Sequence, residues 1–258
     1  MSGFVSLVGA GPGDPGLLTV RGRKAILEAA VVLYDHLASP ALLSAVDVPG
    51  QERIHVGKAA GLAFASQEAI TALVIRRALA GQRVVRLKGG DPFIFGRGTE
   101  EIEALHSAGV AWRVIPGVSS INGVSGAAGI TLTKRGRNHG FAVLSAATTP
   151  AEEIRRWAKI EGPLAIFMGI HKAAIISHEF IAGGRAENEP VVVIARGGTD
   201  TERVAETTLA ELPELLAQPE DWTPGLIIVG ATREAAFKAR SVAAPATVGE
   251  HVFTRSVS

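Results

Sequence analysis

The amino-acid sequence predicts an α/β protein: two α/β lobes with open, largely parallel sheets and a ligand cleft between them. Three observations carry that expectation. Short β-branched runs alternate along the chain with longer amphipathic stretches, the pattern of βαβ units. Several of these runs are apolar throughout, as strands covered on both faces must be. Pro116-Gly117 breaks both kinds of pattern near the middle of the 258 residues, where a hinge between two halves belongs.

Taken in order, strands are expected at residues 4–8, 31–34, 83–87 and 112–115, then at 141–144, 164–168, 191–195 and 226–229. Helices are expected at 19–29, 67–80, 99–108, 151–159, 172–182 and 209–216. In the second of these Ile70, Leu73, Val74 and Ala78 share one face while Arg76 and Arg77 point elsewhere, and Ser66 precedes it as a cap. The lobes are accordingly placed at 1–116 and 117–245, with a polar tail over 246–258.

Composition removes several function classes. There is no cysteine, which excludes a disulfide framework, a thiolate zinc site, an iron–sulfur cluster and a cysteine nucleophile. Lys and Arg number 26 against 25 Asp and Glu, so a net charge of +1 exerts no global pull on nucleic acid or an anionic bilayer. Aromatic residues, at 5%, are too sparse for platforms that stack single strands. The seven histidines are scattered without metal-ligand spacing, and no G-x-S-x-G elbow marks a serine hydrolase. The apolar start is too short and too glycine-rich for a signal peptide or a membrane span. A cytoplasmic protein with no metal, nucleic-acid or membrane partner is the expectation.

Two glycine-rich loops each follow a strand. The first, Gly9-Ala10-Gly11-Pro12-Gly13-Asp14-Pro15-Gly16, fails the dinucleotide fingerprint. Asp14 stands where the third glycine is required, and Pro12 withdraws an N–H. Asp14 is also the wrong charge to place beside a diphosphate. The loop suits an uncharged or cationic ligand, or else it is a structural turn. In the second loop, running from Lys88 to Gly98, Gly89 and Gly90 allow close approach, Asp91 supplies an acceptor and Pro92 stiffens the turn. The apolar run Phe93-Ile94-Phe95 follows. Either it packs into the core while Lys88 and Arg97 are solvated, or it covers a polar ligand held by backbone and Asp91.

Together with Tyr34-Asp35-His36-Leu37, Val56-Gly57-Lys58 and Pro116-Gly117-Val118-Ser119-Ser120, these loops resemble the tetrapyrrole methylase family, in the family's order, over residues 5–230. The stretch 84–98 is the most specific of them and is similar to the subgroup that acts on uroporphyrinogen III. The resemblance implies a two-lobed fold, usually a homodimer, with S-adenosylmethionine folded into the cleft and S-adenosylhomocysteine as the product left behind. That donor is a phosphate-free sulfonium, which agrees with the first loop. The implied reaction methylates C2 and C7 of uroporphyrinogen III to give precorrin-2, towards sirohaem and cobalamin. Carried over by position, the resemblance implies cofactor contacts at Pro12, Gly89, Gly90, Asp91, Ile94, Ser119, Ser120, Met168 and Gly197. It implies Asp35 as proton acceptor and Lys58 as proton donor. It further implies Arg21, Arg97, Lys134 and Arg135 as partners of the substrate's carboxylates.

The departures from the family fall on the tetrapyrrole side. His36 stands where arginine is usual, Lys134 where histidine is usual, and Ala127 where tyrosine often appears. Three alternatives therefore stay open: a later precorrin C-methyltransferase of cobalamin synthesis, a nicotinamide-dependent oxidoreductase, and a non-catalytic tetrapyrrole-binding protein.

Overall fold

The structure, a computed structural model, describes residues 3–57 and 66–234. Lys58 and the tail expected at 246–258 lie outside the described residues. Strands β1 (Phe4–Gly9), β2 (Val31–Tyr34), β3 (Glu52–His55), β4 (Arg83–Lys88) and β5 (Ala111–Ile115) form one sheet in the order β3-β2-β4-β1-β5. Every neighbouring pair in it is parallel. Helices α1 (Val20–Leu27) and α2 (Pro40–Ala45) cover one face, packing Ala25, Ile26 and Leu42 on Val8, Val32, Val85 and Leu87. Helices α3 (Gln67–Leu79) and α4 (Gly98–Ser107) cover the other, with Leu73, Val74 and Leu105 on Val5, Leu7, Leu33 and Val84. Three of these helices start on a hydroxyl that accepts a backbone N–H: Thr19 from Gly22, Ser39 from Leu42 and Ser66 from Ala69.

The second sheet is built from β6 (Ala142–Ser145), β7 (Leu164–Phe167), β8 (Pro190–Ala195), β9 (Arg203–Thr208) and β10 (Gly225–Val229), in the order β6-β7-β10-β8-β9. The α/β class is as expected, but this sheet is mixed. Only β6 and β7 run parallel; β10 is antiparallel to β7 and β8, and β9 is antiparallel to β8. Connectivity accounts for β9: the chain turns directly from β8 into β9 with no crossover helix, and neighbouring strands so joined run antiparallel. Helices α6 (Ala151–Trp157), α7 (Ala173–Ala182) and α8 (Leu212–Leu215) bury Ile154, Ile176, Phe180 and Leu212 on one face. Helix α5 (Ser120–Ala127) lays Val124 on the other, against Val192, Ile194 and Ile228. No described helix is long and apolar enough to cross a membrane.

β3, β9, α2 and α5 were absent from the expected elements. β3 and β9 are edge strands of half-exposed, mixed sequence, and a search for apolar runs passes over them. Helix α5 reads Ser-Ile-Asn-Gly-Val-Ser-Gly-Ala, with two glycines and little helix propensity, and its apolar face forms only against the second sheet.

The connections from β1 and β4, neighbours in the first sheet, leave towards opposite faces, to α1 and α4 respectively. That is a topological switch point, where ligands of open α/β sheets collect beyond the strands' carboxyl ends. Both glycine loops start there. The backbones of Gly9 and Gly117 cross so closely that a Cβ on Gly117 would lie 2.1 Å from the Gly90 carbonyl oxygen and 2.7 Å from the Gly9 Cα. No side chain can yield, because the obstacles are backbone. Gly117→Ala is expected to destabilise the fold by at least about 2 kcal/mol, read as a lower urea midpoint at unchanged m-value.

Candidate functional site

The first and second loops are tied to each other before any ligand arrives. Ala10 N donates to the Lys88 carbonyl at 2.8 Å, and Gly90 N donates to the Gly11 carbonyl at 2.8 Å. Asp91 completes the knot. Its Oδ1 accepts from Phe93 N at 2.8 Å, and its Oδ2 accepts from Gly117 N at 3.0 Å. One carboxylate thus holds its own turn and the hinge after β5 together. The β2 loop closes the remaining side: Ser39 Oγ donates to the Gly13 carbonyl at 2.6 Å, and Leu37 lies against Gly89.

Helix α5 is the hub that joins these loops to the second sheet. Ser119 caps it and Ser120 is its first residue. Gly123 faces Pro12, and Val124 packs against Gly197 so tightly that a Cβ there would stand 2.2 Å from Val124 Cγ1. From the far side, Gly13 approaches Thr199, and the Phe95 and Phe167 rings meet at a centroid distance of 5.3 Å. The chain thereby gathers Pro12, Gly89, Gly90, Asp91, Ile94, Ser119, Ser120, Met168 and Gly197 into loops that touch one another or α5.

Phe93, Ile94, Phe95 and Met168 are exposed, so the apolar run of the second loop does not pack into the core. Met168, half exposed at 50%, directly follows Phe167. Phe95, Arg97, Met168 and Arg196 are the non-glycine residues with left-handed backbone among those described, with φ between 49° and 55°. Each such residue costs on the order of 1 kcal/mol. All four lie in the loops after β4, β7 and β8, where exposed strain of this kind points to a binding surface.

The donor set suits a nucleoside without phosphate. Asp14 is the sole charge in the first loop; its Oδ1 accepts from Gly16 N at 2.7 Å, and it would repel a diphosphate. Hydroxyls of Ser119 and Ser120, backbone amides and the Asp91 carboxylate remain as polar partners. A Cβ on Gly90 would stand 4.0 Å from Ser119 Cα, ordinary contact distance, so the second loop's backbone runs directly against the α5 cap.

Asp35 stands at the carboxyl end of β2. Its Oδ1 accepts from Leu37 N at 3.1 Å, and its Oδ2 accepts from Arg86 Nη2 at 3.2 Å. Its expected companion Lys58 is outside the described residues. The candidate carboxylate partners are dispersed. Arg97, at the edge of the apolar run, pairs with Glu100 at 3.0 Å; Lys134 is held by Glu234 at 3.0 Å; Arg135 is exposed next to it. Arg21 lines a separate surface groove with Lys24, Arg113 and Pro116.

The sequence assigns no role to Arg86 or Glu101, and a solvated Lys88 is one of the two readings it leaves open. All three side chains are buried, and Glu101 Oε1 accepts from both Lys88 Nζ and Arg86 Nε. The available signal was Arg86 and Lys88 at period two in the run 84–88, apolar at its other positions, which demands a buried counter-charge. Burial foremost, and then the Arg86 charge, hold the Lys88 ammonium below the usual lysine range, against the opposing pull of Glu101.

Residues 5–213 match the sequence profile of the Tetrapyrrole (Corrin/Porphyrin) Methylases. The chain belongs to the tetrapyrrole methylase family. Among curated relatives, siroheme synthase 1 of Yersinia enterocolitica is 48% identical over 231 residues, which cover 88% of this chain and 48% of that protein. The chain thus spans about half the length of the curated relatives it matches. Among solved structures, a uroporphyrin-III C-methyl transferase from Thermus thermophilus complexed with S-adenosylhomocysteine is 40% identical with a TM-score of 0.75, covering 88% of this chain and 96% of that one. A cobalt precorrin-4 methyltransferase, a cobalamin biosynthetic enzyme, is 30% identical with a TM-score of 0.78, covering 88% and 94%.

Lys88 gives this tetrapyrrole methylase a defined alkaline response. A lysine whose folded pKa lies below its unfolded value costs stability while protonated, and that cost fades as pH rises from the folded value to the ordinary one of about 10.4. Wild-type protein is expected to gain stability relative to Lys88→Met across that window, measured by urea unfolding at neutral pH and near pH 10.

Proposed function

We propose that this chain is an S-adenosylmethionine-dependent C-methyltransferase that methylates uroporphyrinogen III at C2 and C7 to give precorrin-2. The observation that carries the reading is the site at the switch point. Two glycine loops converge there on the cap of α5, offer neutral and acidic partners, and present Asp14 where a phosphate loop would need donors and no negative charge. The 40% identity to the Thermus transferase over nearly its whole length supports the same substrate and donor. A nicotinamide reading finds no support in a first loop of this composition.

S-adenosylmethionine supplies an activated methyl group on a sulfonium, so the protein's task is mainly alignment and proton handling. In this reading the Gly89–Gly90 backbone, Asp91, Ser119 and Ser120 hold the donor's polar groups, and Pro12, Ile94, Met168 and Gly197 enclose its apolar surface. Phe93 and Phe95, exposed beside them, cover the macrocycle and exclude water. Asp35 accepts the proton lost from the ring, and Lys58 returns one. Arg97 and Arg135 meet substrate carboxylates, with Lys134 drawn in from Glu234 and Arg21 at the periphery. The working unit is a cytoplasmic homodimer with lobes meeting near residue 117.

Anaerobic incubation with uroporphyrinogen III and methyl-labelled donor is expected to add two methyl groups by mass spectrometry. A product with none overturns the reading, whereas methylation of a later precorrin alone would favour the branch of the cobalt precorrin-4 relative. Calorimetry is expected to show binding of S-adenosylhomocysteine and none of NADH. Asp35→Asn is expected to keep adenosylhomocysteine affinity within about twofold while turnover falls about 100-fold or more. Wild-type turnover in that variant would remove Asp35 from the proton-transfer role.

A further inference from the structure

The first sheet carries a nearly dry group of charges. Arg86 and Lys88 project from one face of β4 with side chains 4% and 5% exposed, towards Glu101 of α4 at 4%. Asp35, at the end of β2, is 18% exposed and so remains open on one side. Glu101 Oε1 accepts from Lys88 Nζ at 2.8 Å, Gln67 Nε2 at 2.7 Å and Arg86 Nε at 3.3 Å, while Glu101 Oε2 is buried without a partner. Two buried cations thus share one buried acid, and Asp35 supplies the missing negative charge.

The guanidinium of Arg86 is committed at each nitrogen. Nε donates to Glu101, Nη1 to the Leu87 carbonyl at 2.7 Å, and Nη2 to Asp35 at 3.2 Å. A planar fork fixed at two points aims its third donor. Lysine alone would neutralise Glu101; only the fork reaches Asp35 in a set direction. With Leu37 N on its other oxygen, the Asp35 carboxylate is held by one donor on each oxygen. We propose that Arg86 is a positioning residue that orients the Asp35 carboxylate towards the ligand cleft, and that Glu101, gripped by Lys88 and Gln67, fixes Arg86 in turn. The proposal rests on the reading of Asp35 as proton acceptor.

The charged and titratable groups around Asp35 are Arg86 and Lys88 of β4, Glu101 of α4 behind them, the adjacent His36, and His55 of β3, whose ring meets Tyr34 edge-on. Arg86 is the one among them bonded to it, so removing the fork frees the carboxylate to turn away from the cleft. Carbon-13 NMR of Asp-labelled full chain at one neutral pH, with the Asp35 signal assigned through Asp35→Asn, is expected to show a displaced Asp35 carboxyl signal in Arg86→Gln. Arg86→Lys, which keeps the charge and loses the fork, is expected to lower kcat about tenfold at unchanged S-adenosylhomocysteine affinity and near-native melting temperature. An undisplaced Asp35 carboxyl signal in folded Arg86→Gln overturns the proposal, as does wild-type kcat in Arg86→Lys. A wild-type protein that adds no methyl group overturns the proposed function instead, and the Asp35 carboxyl signal then decides the Arg86 pairing by itself.

Discussion

The contact on which the site depends is backbone on backbone, where Gly9, Gly90 and Gly117 meet beyond the ends of β1, β4 and β5. Three chain segments approach there to distances that no side chain tolerates. The Asp91 carboxylate then spans from the second loop to the hinge, bonding Phe93 N and Gly117 N. Hydrogen bonds to a charged acceptor contribute about 1.5–3 kcal/mol each, which offsets part of the entropy lost in ordering three glycine-rich segments. Because α5 begins two residues after Gly117–Val118, the crossing also sets where the second sheet's covering helix starts. Position of the cleft therefore follows from a steric limit and one carboxylate.

Electrostatics divides the molecule differently from what a net charge of +1 suggests. The charges that matter are few and dry. Arg86, Lys88 and Glu101 lie between the parallel sheet and α3–α4, with the partly exposed Asp35 at their open end, compensating one another at close range where solvent cannot. By contrast the cations expected to meet substrate carboxylates stand in water and pair loosely, Arg97 with Glu100 and Lys134 with Glu234. Exposed pairs of that kind are worth well under 1 kcal/mol as a rule, so they can open for an anionic ligand. The buried group cannot, and it acts as scaffold.

The exposed apolar residues complete the picture of a shared cleft. Phe93, Ile94, Phe95 and Met168 are exposed on segments from both halves of the chain, and those segments touch at the Phe95–Phe167 ring contact. Left-handed backbone at Phe95, Arg97, Met168 and Arg196 turns these loops sharply after their strands. Such conformations persist where neighbouring structure over-determines them, and here the glycine crossing and α5 provide that restraint.

Much of this was legible in residue order. Alternating apolar runs and amphipathic stretches determined the α/β class, eight of the ten strands among the described residues and the boundaries of most helices there, because burial on both faces leaves a local mark. The motif residues Asp14 and Pro12 determined that the first loop is no diphosphate cradle, because charge and a missing N–H act at their own position. Only tertiary structure decided the rest. β9 and β10 turn the second sheet mixed, α5 becomes a helix against a surface built from distant strands β8 and β10, and Arg86 finds Asp35 and Glu101 across three elements. Non-local burial, unlike local periodicity, leaves no trace in neighbouring residues, and that is where the hub of the site and its buried charges were determined.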